Sequence, residues 1–324
     1  MNQDNYLVEC VPNISEGRNS SRIEAIIDHI KTADTRILNV DSGYDANRTV
    51  FTLIGDIESV ILAVKKLYHI CAAVIDMKGH KGEHPRLGAV DVCPLIPFNL
   101  ENLIDLKSRV EELGKELSKE IQIPVFMYAQ SSQGEAIKTL PEIRKGQYEA
   151  LVNDPKKLIH EPDFGRKYLN KKFGGTVLGV RDFMIAYNVN LSTQNLSITK
   201  QIAAAMRRIR TTAGYYAERD IKPLQIMGWH MKKYNCCQIS TNIHNPRTLS
   251  IVDVYHFTQE ISEAFGVQVT SSELIGMMPY FAVELAQQSL REKGIKQSIV
   301  SKLGLDFNGT FSLTERTIPS RLEH

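Results

Sequence analysis

Ile57-Glu58-Ser59-Val60-Ile61-Leu62-Ala63-Val64-Lys65-Lys66-Leu67-Tyr68-His69-Ile70-Cys71 sets the reading of the fold. Ile57, Val60, Ile61, Val64, Leu67 and Cys71 recur at helical spacing, which predicts an amphipathic helix over 57–74. A strand is expected just before it at 48–54, and another after it from Val90 to Ile96, stopped by Pro97. Further upstream, residues 6–13 read as a strand ending at Pro12-Asn13. Ser15 to Ser21 read as a polar turn whose serines can cap a helix, and Ile23, Ile26, Ile27 and Ile30 give that helix its apolar face. A strand at 36–42 and a turn at Gly43–Asn47 complete the series. The order is β-α-β-β-α-β.

Downstream, an extra helix is expected over 101–119 and a strand from Pro124 to Ala129. Residues 130–175 are polar and irregular, with a short helix near 139–151. A structureless stretch of that length inside a compact domain points to a binding element. From Phe183 the plan repeats. Strands are expected at Phe183–Leu191, Leu224–Met231, Gln238–Ile243 and Val267–Ser271, with helices at 196–210 and Val252–Phe265 and a turn at Tyr234-Asn235. A last helix follows at 280–292. The expected fold is therefore α+β: two ferredoxin-like (βαββαβ) subdomains with additional helices, spanning 1–180 and 181–324. The halves share no visible sequence identity, so the duplication rests on element order alone.

The composition narrows the function classes. The 324 residues are 43% hydrophobic and 23% charged, as in ordinary globular proteins. Against 37 acidic residues stand 39 basic ones, a net +2 that gives no case for nucleic acid as a main partner. No apolar run approaches the roughly 18 to 20 residues of a membrane span. Met1–Asn5 lack the pattern of a signal peptide, and Leu322-Glu323-His324 read as the start of a tag scar. Five cysteines without CxxC spacing predict reduced thiols in a cytoplasmic protein. Cys236 and Cys237, as strand neighbours, point to opposite faces.

The chemistry concentrates in His80-Lys81-Gly82-Glu83-His84-Pro85-Arg86-Leu87-Gly88, between the predicted helix and strand. The H-x-x-E-H spacing is that of a zinc site, but such a site needs a helix to bring both histidines to one face. Gly82 and Pro85 disfavour that helix, so a shaped loop is expected and no metal. One of the two histidines is then the candidate general acid/base, because imidazole exchanges protons near neutral pH. Asp41 and Glu83 are the nearby carboxylates able to orient it. Arg48 and Arg86 are candidates for gripping a substrate carboxylate with paired hydrogen bonds.

Several blocks carry a family resemblance. Leu7-Val8-Glu9-Cys10-Val11-Pro12-Asn13-Ile14-Ser15-Glu16-Gly17 resembles the opening of the glutamate formimidoyltransferase family. Asn47-Arg48-Thr49-Val50, Ile75-Asp76-Met77 and His80–Arg86 are similar to its next blocks. So are Pro162–Gly165, Ala186–Leu191, Ser240-Thr241-Asn242 and Val300–Leu305. The resemblance runs in order from residue 7 to about 316.

This resemblance implies transfer of the formimino group from N-formimino-L-glutamate to N5 of tetrahydrofolate, in histidine degradation. It implies tetrahydrofolate as co-substrate, a homodimer of ferredoxin-like subdomains, and His84 as the catalytic histidine, which Asp41 is expected to orient. The family's folate-binding stretch falls on Gly165, Arg166, Lys167, Tyr168, Leu169, Asn170, Lys171, Lys172, Phe173 and Gly174, its end glycines expected to act as hinges. Its lysines and arginine are expected either to be solvated or to meet a polyglutamylated folate tail. The chain ends where relatives continue, so cyclodeaminase activity is expected from a separate protein. Formyl transfer between 5-formyltetrahydrofolate and glutamate, and folate binding without catalysis, are the alternatives.

Overall fold

The computed structural model describes residues 6–32, 34–134, 136–209 and 224–319. The readings placed on Met1–Asn5, on residue 210 and on Leu322–His324 lie outside that set. The chain divides into two compact units, Met1–Asp182 and Phe183–His324.

Unit 1 opens with β1 (Leu7–Cys10), β2 (Asn13–Ile14), α1 (Ser20–Ile30), β3 (Thr35–Gly43), β4 (Arg48–Asp56), α2 (Ile57–Val74) and β5 (Val90–Pro97). The single strand expected at 6–13 is thus two short ones. Pro12 has no N–H to give the ladder, and its carbonyl instead accepts from Phe51 at 3.0 Å. Both pieces pair with β4 on one side and β5 on the other, antiparallel throughout, and β3 completes the edge beyond β4. Helix α1 is capped by Asn19, whose Oδ1 accepts from the Arg22 N–H, and not by Ser15, Ser20 or Ser21. Helix α2 matches its predicted bounds. Asp56 caps it, and Ile57, Val60, Val64, Leu67, Tyr68 and Cys71 are buried. Burying each of the Ile, Val and Leu side chains contributes about 1.5–3 kcal/mol.

The rest of unit 1 is α3 (Leu103–Glu120), β6 (Val125–Met127), α4 (Leu140–Ile143), α5 (Gln147–Asn153) and β7 (Thr176–Val180). The short helix expected near 139–151 is two helices, broken where Gly146 takes φ +98°. Strand β7 has no counterpart in the sequence reading. It lies parallel between β5 and β6, with all five residues buried. A strand buried on both faces shows no alternation, so periodicity gives it no signature. The sheet therefore extends past the β-α-β-β-α-β core by two parallel strands.

Unit 2 comprises β8 (Ile185–Leu191), α6 (Leu196–Ile209), β9 (Leu224–Met231), β10 (Cys236–Ile243), α7 (Ile251–Glu263) and β11 (Val269–Ile275). It closes with β12 (Met278–Pro279), α8 (Tyr280–Glu292), α9 (Ile299–Leu303) and β13 (Thr317–Ile318). Its four main strands pair antiparallel in the order β11-β8-β10-β9. Numbered within each unit, that is the order taken by β5, β1, β4 and β3. The two halves thus share connectivity as well as element order. Among the described residues no helix is long and apolar enough to cross a membrane.

Candidate active site

Residues 75–89, between α2 and β5, hold a single turn at 77–80 and no helix, so the zinc-type spacing never becomes a two-histidine helix face. The loop is instead bolted to the β3–β4 turn. Glu83 N–H donates to the Asp45 carbonyl at 3.0 Å, and Asn47 Nδ2 donates to the Lys81 carbonyl at 3.0 Å. A Cβ on Gly82 would lie 2.1 Å from the Ala46 carbonyl oxygen, so the two backbones meet where only glycine fits.

The two histidines have different surroundings. His80 is buried and committed at both nitrogens: Arg86 Nε donates to its Nδ1 at 3.0 Å, and its Nε2 donates to the Asn47 carbonyl at 2.8 Å. Arg86 in turn binds the His80 carbonyl and the Glu149 carboxylate on α5. Both residues therefore hold the loop in shape. His84 is half-buried, with Nδ1 2.7 Å from the Pro85 carbonyl. A carbonyl only accepts, so Nδ1 carries the proton and Nε2 is the basic nitrogen of the neutral ring. Burial, then the charges of Arg48 and Arg144, hold the His84 imidazole well below its ordinary value, against the pull of Asp91 and the Pro85 carbonyl.

Those charges form a cluster that the sequence reading found only in part. Asp91, on β5 and 0% exposed, takes a hydrogen bond from Arg48 Nη1 and from Arg144 Nε (3.2 Å) and Nη2 (2.5 Å). The Leu87 N–H donates to Oδ1 at 2.7 Å, the oxygen that Arg144 Nε also reaches, and Asn13 Oδ1 accepts from Arg48 Nε at 2.9 Å. Burial alone would raise the Asp91 carboxyl, but Arg144 and Arg48 outweigh it and hold the group below its usual range. Asp91 was passed over because it reads as part of the strand that follows the histidine loop, and Arg144 because nothing links its stretch to that loop. Their signal was weak: one acid in an apolar strand, one base in a polar stretch. Asp41 sits on β3 opposite Val50, and Gly43 opposite Arg48, which places Asp41 and Arg48 on one sheet face.

Both ends of the 165–174 stretch are packed closely against neighbouring backbone. Gly165 (φ +87°) and Gly174 (φ +86°) occupy left-handed backbone, and a Cβ on either would lie 2.3 Å from the Ile123 oxygen and 2.2 Å from the Leu87 oxygen respectively. Ala89 N–H bonds the Phe173 carbonyl and Gly175 N–H the Leu87 carbonyl, so this stretch is laced to the end of the histidine loop. Leu169 and Phe173 point into the core, Phe173 stacking on Tyr68 at 6.1 Å. Arg166 lies over the exposed Tyr168 ring, Lys167 pairs with Glu161, and Asn170 Oδ1 accepts from the Lys172 and Phe173 N–H groups. Lys172 Nζ reaches the Ala73 carbonyl, while the Lys171 carbonyl accepts from Tyr148. Gly174→Ala is expected to lower stability by about 2–4 kcal/mol, from the φ and the overlap together. A reduced urea midpoint at unchanged m-value would show it.

Comparison with known proteins bears on this geometry. Residues 7–181 match the formiminotransferase domain, N-terminal subdomain, and residues 186–323 match the formiminotransferase domain. The chain is 36% identical to the glutamate formimidoyltransferase of Thermoplasma acidophilum, over 90% of this chain and 94% of that one. The Streptococcus pyogenes glutamate formimidoyltransferase is 33% identical over 88% and 93%. The formimidoyltransferase-cyclodeaminase of Gallus gallus is 36% identical over 96% of this chain, which spans 59% of that protein's length. With both matched segments together running through nearly all of its length, the chain belongs to the formiminotransferase family.

Proposed function

We propose that the chain transfers the formimino group of N-formimino-L-glutamate to N5 of tetrahydrofolate, releasing L-glutamate and 5-formiminotetrahydrofolate. The observation that carries this reading is His84, a neutral imidazole with a basic Nε2, set beside two arginines in a family whose named members include glutamate formimidoyltransferases. N5 attacks the formimino carbon, and His84 Nε2 takes the proton that N5 must lose. The tetrahedral intermediate collapses when the same proton passes to the glutamate nitrogen and the C–N bond breaks. One base that takes and returns one proton serves both steps.

Arg48 is assigned to the donor's carboxylate, whereas Arg86 holds the histidine loop. With the Pro85 carbonyl already orienting the ring, Asp41 is assigned to stabilising the imidazolium that forms. Asp41→Asn is expected to lower kcat at least about tenfold with little change in KM, and full turnover would remove Asp41 from the mechanism. The rim of the 165–174 stretch, including Arg166, Lys167, Lys171 and Lys172, is assigned to tetrahydrofolate and its glutamate tail. A cytoplasmic homodimer is the proposed working form.

The deciding assay supplies N-formimino-L-glutamate with tetrahydrofolate to the purified chain and, separately, 5-formyltetrahydrofolate with glutamate. Faster turnover of the second pair would replace formimino by formyl transfer. Folate binding without turnover of either pair would make the chain a binding module.

A further inference from the structure

We infer that Arg144 sets the donor specificity of this site, forming with Arg48 a cationic seat for the α-carboxylate of an N-formimino amino acid. This rests on the transferase reading above. Asp91 is the one carboxylate paired with either arginine among the described residues, and it serves both. Asp91 answers the charge of only one of the two guanidiniums, and the neutral His84 ring adds no counter-charge. The Asp41 carboxylate, on the Arg48 face of the sheet, is the one assigned to His84. The arginine side chains are 9% and 10% exposed. An excess charge so poorly hydrated is costly until an anion joins it.

Arg144 is held firmly in place. It caps α4, a helix fixed by the Thr139–Glu142 capping box and by the burial of Ile143. Its Nε and Nη2 face Asp91, which leaves the Nη1 edge for a second carboxylate. In an N-formimino amino acid, the α-carboxylate is attached to the carbon that bears the leaving nitrogen. A seat beside His84 therefore puts that nitrogen within reach of the same base.

The test compares two donors with tetrahydrofolate as acceptor: N-formimino-L-glutamate and N-formimino-4-aminobutyrate, which lacks only the α-carboxylate. The unmodified chain is expected to favour the first by about 10- to 100-fold in kcat/KM. Arg144→Gln should remove most of that preference, by raising KM for formiminoglutamate while changing the aminobutyrate donor less than about threefold. Arg144→Lys should restore part of it and serves as the second variant if Arg144→Gln does not fold. Equal losses with both donors, or an unchanged preference, would overturn the seat. If the unmodified chain transfers from neither donor, the transferase reading itself fails.

Discussion

Replacing His84 by alanine is expected to lower kcat by about 10²–10⁴-fold, the range a positioned general acid/base supplies. Tetrahydrofolate affinity should stay near that of the unmodified chain, because the effect lies in proton transfer and not in ground-state binding. His80→Ala should differ in kind. His80 is spent on Arg86 and Asn47, so its loss loosens the loop and shows first in stability. The pH profile adds an independent check. Burial and the flanking arginines favour the neutral His84 ring, so the acidic limb of kcat/KM should fall below pH 6.5, the ordinary histidine value. As pH drops through the depressed value the base is protonated and the rate declines about tenfold per unit. Neutralising Arg144 removes a cation from beside the ring and should move that limb upward.

Asp91→Asn is expected to destabilise unit 1 by about 3–5 kcal/mol, the usual cost of leaving a buried charge without its partner. Here the consequence reaches three groups, since Arg48, Arg144 and the Leu87 N–H all converge on that carboxylate. The loss should appear as a lower urea midpoint. The folded Asp91 carboxyl is depressed relative to its unfolded value near 3.9. Its contribution is therefore complete above that value and lost as pH falls through the lower, folded one. The Asp91→Asn variant should lack this acid-dependent component, and an unchanged acid unfolding curve would exclude it.

These two residues also show where the sequence was readable. The histidine loop stood out because histidines among glycines and a proline mark a loop able to carry chemistry, and the family resemblance singled out His84 within it. Asp91, seven residues further on, sits in the run Ala89-Val90-Asp91-Val92 that reads simply as a strand. Arg144 lies 53 positions from it, in a stretch without periodicity. Their pairing is a product of packing. The same holds for Gly165 and Gly174, where composition suggested hinges. Backbone oxygens at Ile123 and Leu87 make each a closely packed turn.

By itself the sequence determined the elements with strong local periodicity: α2 with its apolar stripe, the β-α-β-β-α-β order of each half, and a non-helical histidine loop. Those depend on neighbours a few residues apart, so the pattern is written along the chain. Only the tertiary structure decided that β7 lies between β5 and β6, that His80 is held between Arg86 and the Asn47 carbonyl, and that Arg48 and Arg144 share Asp91. Each of those follows from groups distant in sequence meeting in a poorly hydrated interior, where one carboxylate must answer two cations and a backbone N–H. The lone acid in β5 needed a partner, and the fold supplied two.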